Sequence, residues 1–483
     1  MTINQLQPQL LWESFYQLTQ IPRPSGKRKE ISDFMVGFGK KLGLETIQDE
    51  IGNVLIRKPA TKGKENIPGV ILQAHLDMVP QKNADIKHDF ETDPICAYID
   101  GDWVTAKGTT LGADDGIGVA AAMAVLADNT LEHPAVEAFF TIDEETGMYG
   151  AFALEGGVLK GQTLLNLDSE TEGELYIGCA GGLDANIEFD IVNYAPVPEG
   201  DVAFKIDLTG LKGGHSGVDI NLQRANANKL MVRFLKDAIE DVEARLACIE
   251  GGNMRNAIPR DAHAIVTVPK EGTDDLLQLV EEFESLFVQE YDGIEEGISL
   301  TATQTELPHG LIPEEIQDAL INSLTACPHG VYRIIPEMPD VVETSNNLSI
   351  IETKPNKILI KCLLRSSVES RKDELASIVE SVFSMAGAKI EFTGAYPGWK
   401  PNVKSNILHT MKQVYADTFG VEPRIITIHA GLECAILGRN YPNMDMISFG
   451  PTIKHPHSPD EKVEIKSVEK FYHFLLQTLK NIK

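Results

Sequence analysis

The stretch LQAHLDMV, residues 72–79, decides how the rest of the chain is read. With the residues before it, GVILQAHLDMV, it reads as a buried strand whose end carries His75 and, two positions on, Asp77. Residues i and i+2 of a strand share a face, so these two side chains point together beyond the strand end. In open α/β sheets that edge is where ligands gather.

Outward from this strand the pattern repeats. The helix candidate ADDGIGVAAAMAVLADN (113–129) follows, then the strand AVEAFFTID (135–143) and the strand QTLLNLD (162–168). Alternating strands and helices predict an α/β domain with a mixed sheet sandwiched by helices. From about residue 184 the order changes: VAFKIDLTGLKGGHSG (202–217), a long helix over 225–242, KILIKCLLRSS (357–367) and AKIEFTGAYPG (388–398) run in α+β order. The first texture returns with helix 406–420, strands PRIITIHAGLE (423–433) and MDMISFGP (444–451), and a closing helix over 467–482. The expectation is a catalytic domain in two parts, 1–183 and 399–483, interrupted by an inserted α+β lid domain over 184–398.

Composition narrows the function classes. The chain has 483 residues, a length for roughly two to four domains, and 43 basic against 71 acidic residues give a net charge of −28. Such a surface repels polyanions, so nucleic acid and anionic membranes are set aside as partners. The first residues, MTINQLQPQLLWESFYQLTQ, look like a short amphipathic helix rather than an export signal, and no apolar run approaches the roughly 18 residues of a membrane span. The six cysteines, at 96, 179, 248, 327, 362 and 434, form no C-x-x-C pair. A soluble, cytoplasmic protein without thiolate zinc or a disulfide framework is expected.

Scanning the strand ends gathers the chemistry. His75 and Asp77, then Asp114 and Asp115 at a helix entry, Glu144 and Glu145, Asp168, and finally His457 come from five separate segments. A lone strand-end histidine is more often simply hydrogen-bonded, and adjacent acids usually mark solvated helix starts. Their common placement reverses those odds. Imidazole with carboxylate suits a first-row divalent ion, and the number of ligands exceeds what one tetrahedral ion uses. A carboxylate can bridge two ions roughly 3.5 to 4 Å apart, as in two-metal hydrolases. GADDGIG is a poor phosphate loop, since no Lys-Ser/Thr follows and its aspartates would repel phosphate. From chemistry alone, Asp115 stays an alternative bridge to Asp114, and His455 an alternative to His457.

Taken in order, H-x-D, D-D, E-E, a strand-end D and a late histidine resemble the di-zinc exopeptidases, a family that includes carnosinase, bacterial tripeptidase, glutamate carboxypeptidase and succinyl-diaminopimelate desuccinylase. The phrases LQAHLDMVPQKN (72–83), TTLGADDGIG (109–118), GCAGG (178–182), LKGGHSG (211–217), RNAIPR (255–260), GAYPGW (394–399), IHAGLEC (428–434) and KHPHSPDE (454–461) resemble its aminoacyl-histidine dipeptidase branch along nearly the whole chain. The resemblance implies one Zn2+ held by His75, Asp114 and Asp168 and a second held by Asp114, Glu145 and His457, with Asp114 bridging and Co2+ or Mn2+ able to substitute. It implies Glu144 as the general base, Asp77 as the group orienting His75, and His215 as donor to the developing oxyanion. Asn256, Arg365 and Gly431 would complete the grip on the substrate, arginine matching a carboxylate with two parallel hydrogen bonds. The implied activity is hydrolysis of short unblocked dipeptides, Xaa-His by preference, by a homodimer joined through the lid. An N-acyl amino acid deacylase on the same scaffold is the alternative, and it would lack a pocket acid for a free amine, a task open to Asp168, Glu145 or Glu433. A metal-binding scaffold that has lost catalysis is disfavoured because the base and every implied ligand are present.

Overall fold

The computed structural model describes residues 2–483. The chain forms two compact units. One contains the chain up to Gly178 together with Trp399–Thr427 and Leu432–Lys483; the other contains Cys179–Gly398 and the short stretch Ile428–Gly431.

The first unit is built on an eight-stranded sheet in the order Glu45–Gln48, Val54–Lys58, Val136–Thr141, Val70–His75, Thr163–Asn166, Asp445–Ser448, Glu174–Cys179, Arg424–Ile428. The four strands from Val136–Thr141 to Asp445–Ser448 run parallel, whereas the pairings toward the Glu45 edge are antiparallel. Val70–His75 and Val136–Thr141 are buried at every position, as strands covered on both faces must be. Helix Ala113–Ala127 packs against the His75 strand. Its alanine-rich surface is buried all round, so it has no amphipathic face and serves as core. Parallel alignment brings His75 level with Thr141, and Gln73 level with Asn166. The segments carrying His75, Glu144 and Asp168 therefore leave the sheet at one edge.

The second unit holds a nine-stranded sheet whose path is Ser299–Thr305, Val202–Thr209, Ala262–Val268, Arg245–Gly251, Met338–Lys354, Lys357–Ser366, Gly181–Asp190, Lys389–Tyr396, with Gly330–Ile335 pairing to Met338–Lys354 beside it. Helix Ala227–Val242 buries Leu230, Met231, Phe234, Leu235 and Ala238, a 3.6-residue stripe that enters the core shared with helices Thr273–Glu290, Glu314–Ala326 and Glu369–Met385. This is α+β architecture. One sequence expectation is corrected: the strand read over 423–433 ends at Ile428, His429–Gly431 group with the second unit, and Glu433 opens helix Glu433–Asn440. No helix of the described residues is long and apolar enough to cross a membrane.

Candidate metal centre

At the carboxyl edge of the first unit's sheet, two imidazoles meet four acids. His75 Nε2 lies 3.1 Å from Asp114 Oδ1 and 3.3 Å from Asp168 Oδ1. His457 Nε2 lies 3.1 Å from Asp114 Oδ2 and 3.0 Å from Glu145 Oε2. Asp114 thus offers one oxygen to each imidazole. The sets His75–Asp114–Asp168 and Asp114–Glu145–His457 each bring their ligand atoms within 4.8 Å of one another, and Glu144 joins His75 and Glu145 in a third such set.

The turn carrying Asp114 is held with unusual care. Gly112 enters it at φ +71°, a left-handed conformation that glycine adopts without strain. Asp114 and Asp115 keep non-helical backbone angles. The buried Glu461 carboxylate then accepts four backbone N–H groups, Leu111 (2.7 Å) and Gly112 (2.9 Å) on Oε2, Ala113 (2.7 Å) and Asp114 (3.2 Å) on Oε1. These are the unpaired amides of a helix N-terminus, where negative charge is favoured. Opposite, Arg23 donates to the carbonyls of Leu76 (2.9 Å), Asp77 (3.0 Å) and Gly112. Neither Arg23 nor Glu461 was singled out by sequence, although Glu461 closes the phrase KHPHSPDE.

The structure places the members of the two open pairs differently. Asp115 turns away from the cluster and accepts the backbone N–H of His75 at 3.1 Å through Oδ2; it takes no part in the ligand sets found among the described residues. His457, not His455, meets Asp114 and Glu145, while His455 is exposed and belongs to none of those sets. Both histidines have left-handed backbone, φ +55° at 455 and +59° at 457, a conformation uncommon outside glycine and suited to aiming a side chain.

Asp77 sits behind His75. Its main-chain carbonyl is 3.2 Å and its Oδ1 3.5 Å from His75 Nδ1, which turns Nε2 toward the cluster. The same carboxylate accepts Glu144 N (3.0 Å), Glu145 N (3.3 Å) and Ser25 Oγ (2.7 Å), tying the two glutamates to the histidine strand. One layer below, on the same strand face as His75, the fully buried Glu433 accepts Gln73 Nε2 (2.5 Å) and Thr141 Oγ1 (2.7 Å). Gln73 in turn accepts Asn166 Nδ2 at 2.5 Å, and Asn166 accepts Ser448 Oγ. Polar residues inside apolar strands were the sequence trace of this ladder.

The donor set fits divalent ions. Burial pushes Asp168 up to about 7, and Asp114 and Glu145 add like-charge repulsion. Burial also raises Glu144 well above the usual carboxylate range, with Asp168, Glu433 and Glu145 reinforcing it. Against the opposing effect of burial, hydrogen bonds from His457 and His75 hold Asp114 low, while the hydrogen bonds of His457 to Asp114 and Glu145 push that imidazole up to about 11. Glu145 Oε1 is buried with no hydrogen-bond partner. So much negative charge in a buried space asks for cations.

The family model for Peptidase family M20/M25/M40 matches residues 71–481. The chain belongs to this peptidase family. Across 480 residues the M20 chain is 46% identical to the cytosol non-specific dipeptidase of Escherichia coli strain K12, covering 99% of both chains. It is similar to the crystal structure of aminoacylhistidine dipeptidase from Vibrio alginolyticus, with a TM-score of 0.96 and 47% identity over 100% of this chain and 98% of that one. At 15% identity and TM-score 0.58, aminopeptidase PepT from Bacillus cereus shares the fold over 99% of both chains.

The remaining sequence candidates of the M20 chain lie in its second unit. His215, paired in register with Ala257, uses Nδ1 to accept the backbone N–H groups of Gly217 and Val218, both at 3.1 Å. Its proton therefore rides on Nε2, and burial, then the charge of Arg365, keeps the ring neutral. Asn256 is drawn beside it, its carbonyl accepting Ser216 N at 2.8 Å. Arg365 is buried, donating to Tyr396 Oη at 2.9 Å. Gly431 closes the 428–431 stretch, in which His429 Nε2 and Ser345 Oγ meet at 2.7 Å.

Proposed function

We propose that this M20 chain is a metal-dependent dipeptidase that hydrolyses short unblocked dipeptides, Xaa-His among them, at a dinuclear zinc site. The observation that carries the reading is the pair of imidazole–carboxylate sets sharing Asp114. His75, Asp114 and Asp168 would hold one ion, Asp114, Glu145 and His457 the other, with Co2+ or Mn2+ able to substitute. Bound there, the ions supply Lewis acidity toward water and the scissile carbonyl.

Glu144, committed to neither set, takes the proton of the attacking water and returns it to the leaving amine. Its raised affinity for protons suits a group that must hold one between the two steps. Asp77 keeps His75 in one ring orientation. In this reading His215 donates from Nε2 to the oxyanion, and Arg365 with Asn256 and Gly431 receives the terminal residue. Support for the substrate class comes from the two relatives alike over their full length, one named a non-specific dipeptidase and the other an aminoacylhistidine dipeptidase. A cytoplasmic setting agrees with the cytosolic relative, and a homodimer through the second unit completes the proposal.

The test is hydrolysis by metal-reconstituted protein of β-alanyl-histidine, glycyl-histidine and an N-acetyl amino acid, with and without chelator. Chelator-sensitive cleavage of the histidine dipeptides is expected. Cleavage of the acetylated substrate alone would overturn the reading in favour of a deacylase.

A further inference from the structure

Arg365 is an incompletely satisfied cation. It is 5% exposed, yet no carboxylate lies within ion-pair distance of it among the described residues. Its Nε is buried without a partner, and the contact from Nη2 to Ser216 Oγ is a long 3.5 Å. Only Nη1 is well engaged, on the Tyr396 hydroxyl at 2.9 Å. A buried cation in this state costs free energy that an arriving anion recovers.

Tyr396 reaches Arg365 by crossing a strand. Arg365 and Tyr396 stand on strands either side of Gly181–Asp190, and both pair in register with Gly182. A Cβ built on Gly182 would come within 2.3 Å of Tyr396 Cε1, 2.5 Å of Cζ and 2.7 Å of Oη. Only a residue without a side chain lets the phenol ring lie across the middle strand. This accounts for the last glycine of GCAGG, Gly182, and the tyrosine of GAYPGW, motifs that the reaction had left without a task. Because the phenol oxygen accepts from Arg365, the hydroxyl keeps its own hydrogen to donate. Burial raises Tyr396 further above its ordinary value, so that hydrogen is retained at working pH.

We propose that Tyr396, seated by Gly182 and aligned on Arg365, is a second donor to the substrate's terminal carboxylate and the residue that separates free dipeptides from C-terminally capped ones. The inference rests on the dipeptidase reading and on the place of Arg365 within it.

The experiment compares wild type and Tyr396→Phe, both metal-reconstituted, on glycyl-histidine and on its C-terminal amide. A hydrogen bond to a charged group predicts a loss of about ten- to a hundred-fold in kcat/KM on the free acid, mostly through KM. On the amide the two proteins should agree within about threefold. Gly182→Ala, which displaces the same ring, should reproduce the pattern, and binding of free histidine but not histidinamide should weaken in parallel. Equal losses on acid and amide, or no loss on the acid, would overturn the inference and leave the dipeptidase reading intact. Wild-type protein inert on both substrates would overturn that reading and the inference with it.

Discussion

Glu461→Gln tests how the Asp114 turn is held. The wild-type carboxylate accepts two amides on each oxygen. Glutamine keeps one accepting oxygen and turns an NH2 group toward the other two amides, so two charge-assisted hydrogen bonds are lost and donors face donors. At about 1.5–3 kcal/mol for a bond to a charged group, the substitution costs about 3–6 kcal/mol. Arg23, which feels the charge of Glu461 from its own buried position, loses part of its compensation as well. The assay is urea unfolding of metal-stripped protein, in which bound ions cannot mask the change, followed by metal titration. The midpoint should fall by an amount matching that loss, and metal should bind more weakly because the turn presenting Asp114 is no longer fixed. A stability change under about 1 kcal/mol with unaltered metal affinity would refute the claim that Glu461 organises the turn.

Three further outcomes are expected. Glu144→Ala should retain its metal while turnover falls by about 10²- to 10⁴-fold; activity equal to wild type would remove Glu144 from proton transfer. His457→Ala should lose about one ion per chain by elemental analysis, whereas His455→Ala should keep both; the reverse result would exchange their assignments. Glu433 is pushed up to about 7 by burial first, with Asp168 adding to the effect. Its folded value lies above its unfolded one, so its protonated form favours the fold, and that contribution fades as pH rises from about 4.5 to about 7. In metal-stripped protein, Glu433→Gln should therefore gain stability relative to wild type between about pH 5 and about pH 8; a constant difference in urea midpoints would show that Glu433 does not titrate there.

Much of the centre was legible because its chemistry sits where strands end. His75, Glu144 and Asp168 follow recognisable apolar runs, and period-two alternation shows where such runs stop. Asp114 against Asp115 was not decidable from spacing, because the choice depends on backbone angles inside the turn, and those are imposed by Gly112 and by the distant Glu461. His455 against His457 stayed open to chemistry alone for a similar reason: two left-handed residues in one loop aim their side chains by backbone conformation. Arg23 and Glu461 were missed because they recognise backbone amides and carbonyls, which every residue possesses. The His429 stretch was read as a continuing strand because Ile425, Ile426 and Ile428 carry strand character right up to the point where the chain departs.

That departure limits how the molecule can be taken apart. The second unit is assembled from Cys179–Gly398 and Ile428–Gly431, and the smaller piece is stitched in through Ala180 N on Ile428 O (3.0 Å) as well as through His429 on Ser345. A gene fragment spanning only residues 179–398 would encode an incomplete unit. Exchanging that fragment for a relative's would carry a new partner for His429 without the matching histidine. Recombination between M20 enzymes should therefore succeed only when both pieces travel together, which makes four residues near the C-terminal third of the chain part of the inheritance of a segment that ended thirty residues earlier.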